Sequence, residues 1–127
     1  MAVALNHTIV AARDAEGSAR WAAELLGLSA PVPFGHFWVL ETANGVSLDF
    51  SDHDGEITSQ HYAFLVSEDD FDQIFGRIAE RRIAHWADPG RTQADSINHN
   101  DGGRGVYFAS PDGHLLEIIT RPYGSSD

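Results

Sequence analysis

Three residues with metal-binding side chains lie on segments that alternate like β-strands. His7, His61 and Glu117 each share a run with apolar residues at every second position, and strand side chains alternate between two faces. We therefore expect all three on faces that are otherwise buried. A lone buried carboxylate is costly, so Glu117 needs a metal, an arginine or a proton as its partner. Two neutral imidazoles and a carboxylate suit a divalent cation such as Zn, Mn, Fe, Co or Ni.

A fourth candidate, Asp49, is identified by an internal repeat. Residues 44–50, Asn-Gly-Val-Ser-Leu-Asp-Phe, match residues 112–118, Asp-Gly-His-Leu-Leu-Glu-Ile, in type at nearly every place. This match makes Asp49 the equivalent of Glu117. Because Asp49 shares its strand face with serines, three roles stay open: a metal ligand, a general base or a solvated residue.

The repeat also predicts the elements that position these residues. Each histidine is the second or third residue of a predicted strand, 5–11 or 60–66, and each strand is followed by a helix, with Asp14 and Ser67 as the N-cap residues. Further strands follow, and each half ends in a turn and a last strand. The sequence predicts an α+β fold of two βαβββ modules in one domain, 1–127, with module one at about 1–53 and module two at about 54–127.

The two repeats differ in length. His7 and Asp49 are 42 positions apart and His61 and Glu117 are 56, so the second module carries 14 more residues. We place the surplus at about 88–104, where periodic apolar residues are few. A long connection of this kind is either functional or a plain surface excursion.

The amino-acid composition excludes some kinds of catalysis and argues against some classes of partner. The chain of 127 residues has no cysteine, and its eight basic residues are all arginine against 19 acids, for a net charge of -11. Thiolate and Schiff-base lysine catalysis are therefore excluded. The acidic balance argues against a nucleic acid partner, and no segment has the length of a membrane span or the pattern of a signal peptide, so we expect a cytoplasmic protein without a membrane partner.

Three segments together resemble the vicinal oxygen chelate superfamily, which includes glyoxalase I, bleomycin resistance proteins, fosfomycin resistance thiol transferases and extradiol dioxygenases. They are Asn6-His7, Gln60-His61-Tyr62-Ala63-Phe64 and residues 105–117, Gly-Val-Tyr-Phe-Ala-Ser-Pro-Asp-Gly-His-Leu-Leu-Glu. The resemblance spans essentially the whole chain, and its motif is specific for the superfamily more than for any one activity.

The resemblance implies a fold, a cofactor and a partner. It implies paired βαβββ modules around a cavity, a homodimer, and one divalent metal held by His7, His61 and Glu117 that polarises adjacent oxygens of a small oxygenated metabolite or antibiotic. Glyoxalase-like members add an acidic ligand where this chain has the shorter Asp49. The alternative is a protein of the bleomycin resistance type, which binds and sequesters a drug without turnover.

The remaining candidates are less specific. Glu117, Asp49 and Tyr107 are the catalytic candidates. His99 and Arg104 are expected near the rim of the active site, where they would contact an acidic substrate, whereas His114 is expected to be exposed or in a turn. The full set of substrate-binding candidates is His36, Trp38, Tyr62, His99, Arg104 and Tyr107; for the aromatic residues, core packing is the other interpretation.

Overall fold

The computed structural model describes residues 1–125 and divides into two compact units. Unit 1 is Met1–Ile57, and unit 2 begins at Thr58. Each unit has the element order strand, helix, strand, strand, strand. The predicted α+β fold of two βαβββ modules is therefore confirmed.

In unit 1 a four-stranded sheet is covered by one helix. The sheet order is β1-β4-β3-β2, in which β1 and β4 are parallel and the other neighbours are antiparallel. The elements are β1 (His7–Ala12), α1 (Ala15–Leu26), β2 (Val32–Phe34), β3 (Phe37–Glu41) and β4 (Ser47–Asp52).

Unit 2 repeats this arrangement with the order β5-β8-β7-β6, again with its first and last strands parallel. A short 3₁₀ turn at Asn100–Gly102 precedes β7. The elements are β5 (His61–Leu65), α2 (Glu68–Glu80), β6 (His85–Trp86), β7 (Gly105–Ala109) and β8 (Leu115–Ile119).

Both helices begin at the predicted residues. The Asp14 carboxylate accepts a hydrogen bond from the Gly17 amide at 3.1 Å, and the Ser67 hydroxyl accepts one from the Asp70 amide at 3.0 Å. Each bond satisfies an amide that has no partner within the helix. Among residues 1–125, no helix is both long and apolar enough to cross a membrane.

The repeat extends to the pairing of individual residues. In unit 1 Asp49 pairs with Ile9 on one side and Val39 on the other. In unit 2 Glu117 pairs with Ala63 and Tyr107. The two acids therefore occupy the same place in their sheets, as the sequence match predicts.

The extra length of unit 2 lies where the sequence predicts it. β2 and β3 are joined by residues 35–36, whereas β6 and β7 are joined by residues 87–104. The backbone of Asn98 bonds twice to Gly105, at 2.8 and 3.0 Å, and its side chain donates to the Ala87 carbonyl at 2.8 Å. These bonds hold the connection against the edge of the sheet.

The prediction that the histidine faces are buried is wrong. Leu5 and Ile9, on the His7 face, are 67% and 56% exposed, and Leu65, on the His61 face, is 61% exposed. The buried residues of β1 are Val10 and Ala12, on the opposite face. The reason is that each module has a single helix, which covers one face of its sheet. Glu117 is buried as predicted.

Candidate metal centre and substrate cavity

Two of the predicted ligands meet in unit 2. Strands β5 and β8 are parallel neighbours, and His61 pairs with Leu115 while Ala63 pairs with Glu117. His61 Nε2 lies 3.1 Å from Glu117 Oε1. The histidine side chain is 46% exposed and the glutamate side chain 9%, so the pair lies at the surface with its acid facing inward.

The other ring nitrogen determines what this pair can bind. His61 Nδ1 lies 3.0 Å from the Leu115 carbonyl oxygen. A carbonyl only accepts, so Nδ1 carries a proton and donates it there. In the neutral ring Nε2 then has a lone pair, which points at a carboxylate oxygen. Two acceptors at this distance require a cation between or beside them, either a proton or a metal ion.

This donor set fits a divalent metal ion. A neutral imidazole whose Nδ1–H is held by a carbonyl is a common metal ligand, and a carboxylate is a suitable second one. Among the described residues, no group of three or more His, Cys, Asp or Glu side chains could hold a metal. His7 lies in unit 1, where its Nδ1 is 2.6 Å from the side-chain oxygen of Asn6. The set of three ligands therefore stays a prediction.

Tyr107 lies directly beside the pair. Its ring stacks on the His61 ring, with centroids 5.9 Å apart and planes at 28°. Burial, reinforced by the charge of Glu117 and a hydrogen bond to it, raises the pKa of Tyr107 to about 12. The phenol is therefore protonated at neutral pH and serves as a hydrogen-bond donor.

Asp49 has a different environment in unit 1. Its side chain is buried, and its Oδ1 accepts a hydrogen bond from the Ser47 hydroxyl at 3.1 Å. This contact agrees with the polar face predicted for β4. Burial does not fit a solvated residue, so a metal ligand and a general base are the two roles that stay open.

A cavity of about 430 Å³ opens beside Tyr107 and Glu117. Its walls come from the long connection, from β7 and β8, and from the segment after β8. The lining residues are Asn98, Asn100, Asp101, Arg104, Tyr107, Glu117, Ile119, Arg121, Tyr123 and Gly124. The volume is typical of a site for a small molecule.

Arg104 lines this cavity, yet most of its guanidinium group bonds to α2. Nε and one terminal nitrogen donate to Glu68 and Asp72 at 2.7 and 2.8 Å, and the other terminal nitrogen donates to the Glu68 carbonyl at 3.0 Å. Hydrogen bonds to Asp72 and Glu68 raise the pKa of Arg104. The group also lies 4.4 Å from the Phe71 ring centre, so Arg104 joins the start of α2 to β7.

The other substrate-binding candidates lie outside this group. His36 is exposed in the β2–β3 turn, and Trp38, also in unit 1, lies under the Arg20 guanidinium at 5.5 Å. Tyr62 is on the face of β5 opposite His61. His99 is exposed and precedes the 3₁₀ turn, between two lining residues. A substrate role for these four stays a prediction.

The segment after β8 is the part of the cavity that sequence reasoning missed. Asp101 accepts a hydrogen bond from the Gly124 amide at 3.1 Å, which holds Tyr123 and Arg121 at the cavity. A Cβ on Gly103 would lie 2.5 Å from the Arg121 side chain, so only glycine permits this approach. These contacts join distant, non-periodic segments, and the only signal for them was the Gly- and Asn-rich composition of residues 97–105.

The fold and the His61–Glu117 pair agree with the family comparison. Residues 4–118 match the model of the Glyoxalase/Bleomycin resistance protein/Dioxygenase superfamily. The chain belongs to this superfamily.

Its similar proteins include named enzymes. Two solved structures, Oxidase ChaP-H1 and Oxidase ChaP-H2, are each 61% identical, with TM-scores of 0.95 and 0.97; they cover 97% and 100% of this chain, which in turn covers 99% and 100% of them. Glutathione transferase FosA of Serratia marcescens is 29% identical over 93% of this chain and 81% of its own length.

Proposed function

We propose that this protein is a divalent-metal-dependent oxidase of the superfamily that acts on a small oxygenated molecule. The observation that carries the proposal is the His61–Glu117 pair, in which the Nε2 of the imidazole lies 3.1 Å from a buried carboxylate oxygen. His7, in the repeat position equivalent to His61, is proposed as the third ligand on the basis of the resemblance. When bound, the metal would act as a Lewis acid on adjacent substrate oxygens.

The residues around the pair have separate tasks in this proposal. The phenol of Tyr107 donates to Glu117 and fixes the direction of its carboxylate. Ile119 and Tyr123 supply apolar surface in the cavity, while Arg121 and the asparagines supply donors to substrate oxygens. Asp49 is proposed as a general base.

Oxidation is proposed ahead of thiol transfer because of the strength of the similarity. The oxidase structures are 61% identical over nearly the whole chain, whereas Glutathione transferase FosA is 29% identical. Dioxygen is the proposed oxidant. Resemblance to the fosfomycin thiol transferases would imply a lysine in a phosphonate site, and this chain has no lysine.

The test combines metal content with oxygen uptake. The protein is purified without chelator, its metals are measured by mass spectrometry, and the stripped protein is offered Fe, Mn, Zn, Ni and Co. We expect about one metal per chain and oxygen uptake with a member of a panel of catechols and α-hydroxyketones. His61→Ala should lose the metal, while His53→Ala, which removes an exposed histidine of unit 1, should keep it.

Two outcomes would overturn the proposal. A chain that stays metal-free in excess of all five metals would exclude a metal enzyme. Conjugation of fosfomycin with glutathione, without oxygen uptake on any substrate, would indicate a transferase.

Sequestration of a drug is the second candidate function, and the net charge of -11 favours it for a cationic ligand. The two functions differ in how they respond to His7→Ala. Loss of turnover with an unchanged fold supports the enzyme. Bleomycin binding that is the same in wild type and variant, measured by calorimetry, supports sequestration.

We also propose that the active protein is a homodimer. Val32 and Phe34 on β2 are 58% and 72% exposed, and Ile9 on β1 is 56% exposed. Large apolar side chains exposed on one sheet are typical of interaction surfaces. Light scattering coupled to size-exclusion chromatography should give twice the chain mass of 13.9 kDa; a mass of one chain would exclude the dimer.

A further inference from the structure

His114 is a buried histidine that the proposed metal centre does not use. It directly follows the turn at residues 110–113, but it is 2% exposed, so the expectation that it is exposed is wrong. Its ring contacts the Tyr62 ring edge-on, with centroids 5.8 Å apart and planes at 84°. A histidine buried this deeply has its polar atoms bonded within the protein, so its partners indicate its role.

The first partner is the residue before His61. His114 Nδ1 lies 3.1 Å from the Gln60 amide nitrogen, and because an amide only donates, this ring nitrogen is the acceptor. The Gln60 carbonyl accepts a hydrogen bond from the Leu115 amide at 2.9 Å. Both backbone polar groups of Gln60 are therefore held by two consecutive residues at the start of β8.

The same pair of residues holds the His61 ring. The Leu115 carbonyl accepts the Nδ1–H of His61 at 3.0 Å, and the two residues are partners in the parallel ladder. His114 thus holds the amide of Gln60, whereas Leu115 holds both the Gln60 carbonyl and the His61 ring. The direction of His61 Nε2 toward Glu117 depends on this local register.

The turn before β8 holds His114 itself in place. The Ser110 hydroxyl accepts from the His114 amide at 3.1 Å, and the His114 carbonyl accepts from the Ser110 amide at 2.9 Å. Gly113, with a φ of 86°, closes the turn in a conformation that favours glycine. The imidazole is therefore attached to a backbone that is fixed at both polar groups.

We propose that His114 is a positioning residue for the metal centre, which sets the orientation of the His61 imidazole through Gln60. Its consequence for metal affinity rests on the proposed function. The orientation of the His61 ring does not, because the bonds that set it are all made by protein groups.

The proposal is tested with two substitutions of different chemistry. His114→Asn keeps an acceptor near the position of Nδ1, whereas His114→Leu keeps the approximate volume and removes the acceptor. In the zinc-free protein, nitrogen NMR of the imidazoles should show His61 Nδ1 fully protonated in the wild type and in His114→Asn, because the Leu115 carbonyl accepts this proton. His114→Leu should show a mixture of tautomers.

The second readout is the Kd for zinc, measured by competition with a chromophoric chelator. Loss of a residue that orients a metal ligand weakens binding by about 10- to 100-fold, so we expect this loss in His114→Leu and recovery to within a few-fold in His114→Asn. Ile78→Ala, which removes a fully buried side chain of α2, is the control for lowered stability alone and should keep the wild-type Kd.

The outcomes separate this proposal from the proposed function. Wild type that binds no zinc contradicts the metal function, while the tautomer measurement still decides the role of His114. An unchanged tautomer and Kd in His114→Leu would overturn the positioning role. If the leucine variant does not fold, His114→Gln, which moves the acceptor away from the δ position, replaces it in both measurements.

Discussion

Units 1 and 2 share one backbone plan but use it for different contacts. His7 and His61 both begin a parallel edge strand, and Asp49 and Glu117 both lie in the strand beside it. In unit 2 a carbonyl across the ladder orients the histidine, and the acid reaches its ring. In unit 1 the adjacent Asn6 side chain bonds the histidine, and the acid bonds to a serine of its own strand.

The difference shows how small changes in sequence separate two copies of a fold. A glutamate is one methylene longer than an aspartate, and that length lets Glu117 meet His61. The residue paired with the acid is Val39 in unit 1 and Tyr107 in unit 2, so only Glu117 has a phenol beside it. The two units therefore share equivalent backbone positions, and the side chains at those positions determine which contacts are made.

The largest expected effect comes from neutralising the two acids in turn. Glu117→Gln keeps the shape but removes the charge, and we expect the Kd for zinc to rise more than roughly 100-fold, beyond the loss typical of residues outside the ligand set. Asp49→Asn is the matched change in unit 1 and should alter the Kd by only a few-fold. Calorimetric titration measures both; equal losses would make Asp49 a ligand and end the distinction between the units.

A second test concerns the phenol that only unit 2 has beside its acid. The pKa of Tyr107 is raised to about 12 from 10.0, so this group stabilises the fold below pH 10 and that contribution is lost as the pH rises toward 12. Absorbance of tyrosinate in the metal-free protein should show a late step that Tyr107→Phe removes. A late step that persists in the variant would assign it to another tyrosine.

The third test compares one arginine from each unit that lies over an aromatic ring. Arg104 bonds two carboxylates of α2 and a carbonyl, whereas Arg20 bonds Glu16 of its own helix at 3.0 Å. Arg104→Met should lower the melting temperature by a few degrees and Arg20→Met by less. Part of the difference between the two changes in melting temperature should disappear in 1 M salt, which screens exposed charge pairs. If the difference does not depend on salt, it comes from the aromatic contact.

The smallest effect comes from a glycine in each helix. A Cβ on Gly76 in α2 meets nothing within 4 Å, so Gly76→Ala should raise the free energy of unfolding by roughly 0.5–1 kcal/mol through helix propensity. A Cβ on Gly17 in α1 would lie 2.5 Å from the Asp14 carboxylate that caps the helix, so Gly17→Ala should not stabilise. Urea denaturation measures both, and equal gains would show that the cap adjusts freely.

The sequence predicted most of the fold because the fold depends on local and periodic signals. The caps at Asp14 and Ser67 and the repeated last strands are all visible in short segments. The prediction that the strand faces with His7 and His61 are buried was wrong, because alternation indicates that the two faces of a strand differ without showing which face the helix covers. Val10 and Ile9 are equally apolar, yet only Val10 is buried.

The candidate site was predictable only in part, for a related reason. The pairing of His61 with Glu117 follows from the repeat and the resemblance. The cavity wall at Asp101 and Tyr123 depends on contacts between segments more than twenty residues apart with no periodicity. The buried position of His114 depends on the turn that begins at Ser110. Composition alone does not show whether such a turn buries the residue that follows it or leaves it exposed.

The bond between Asp101 and Gly124 has a practical consequence for anyone who produces this protein. It makes the segment after β8 a wall of the cavity, so a tag or fusion partner inserted directly after Gly124 would lie beside the space that a ligand must enter. A tag for binding studies is better placed ahead of β1, where residues 1–6 are exposed.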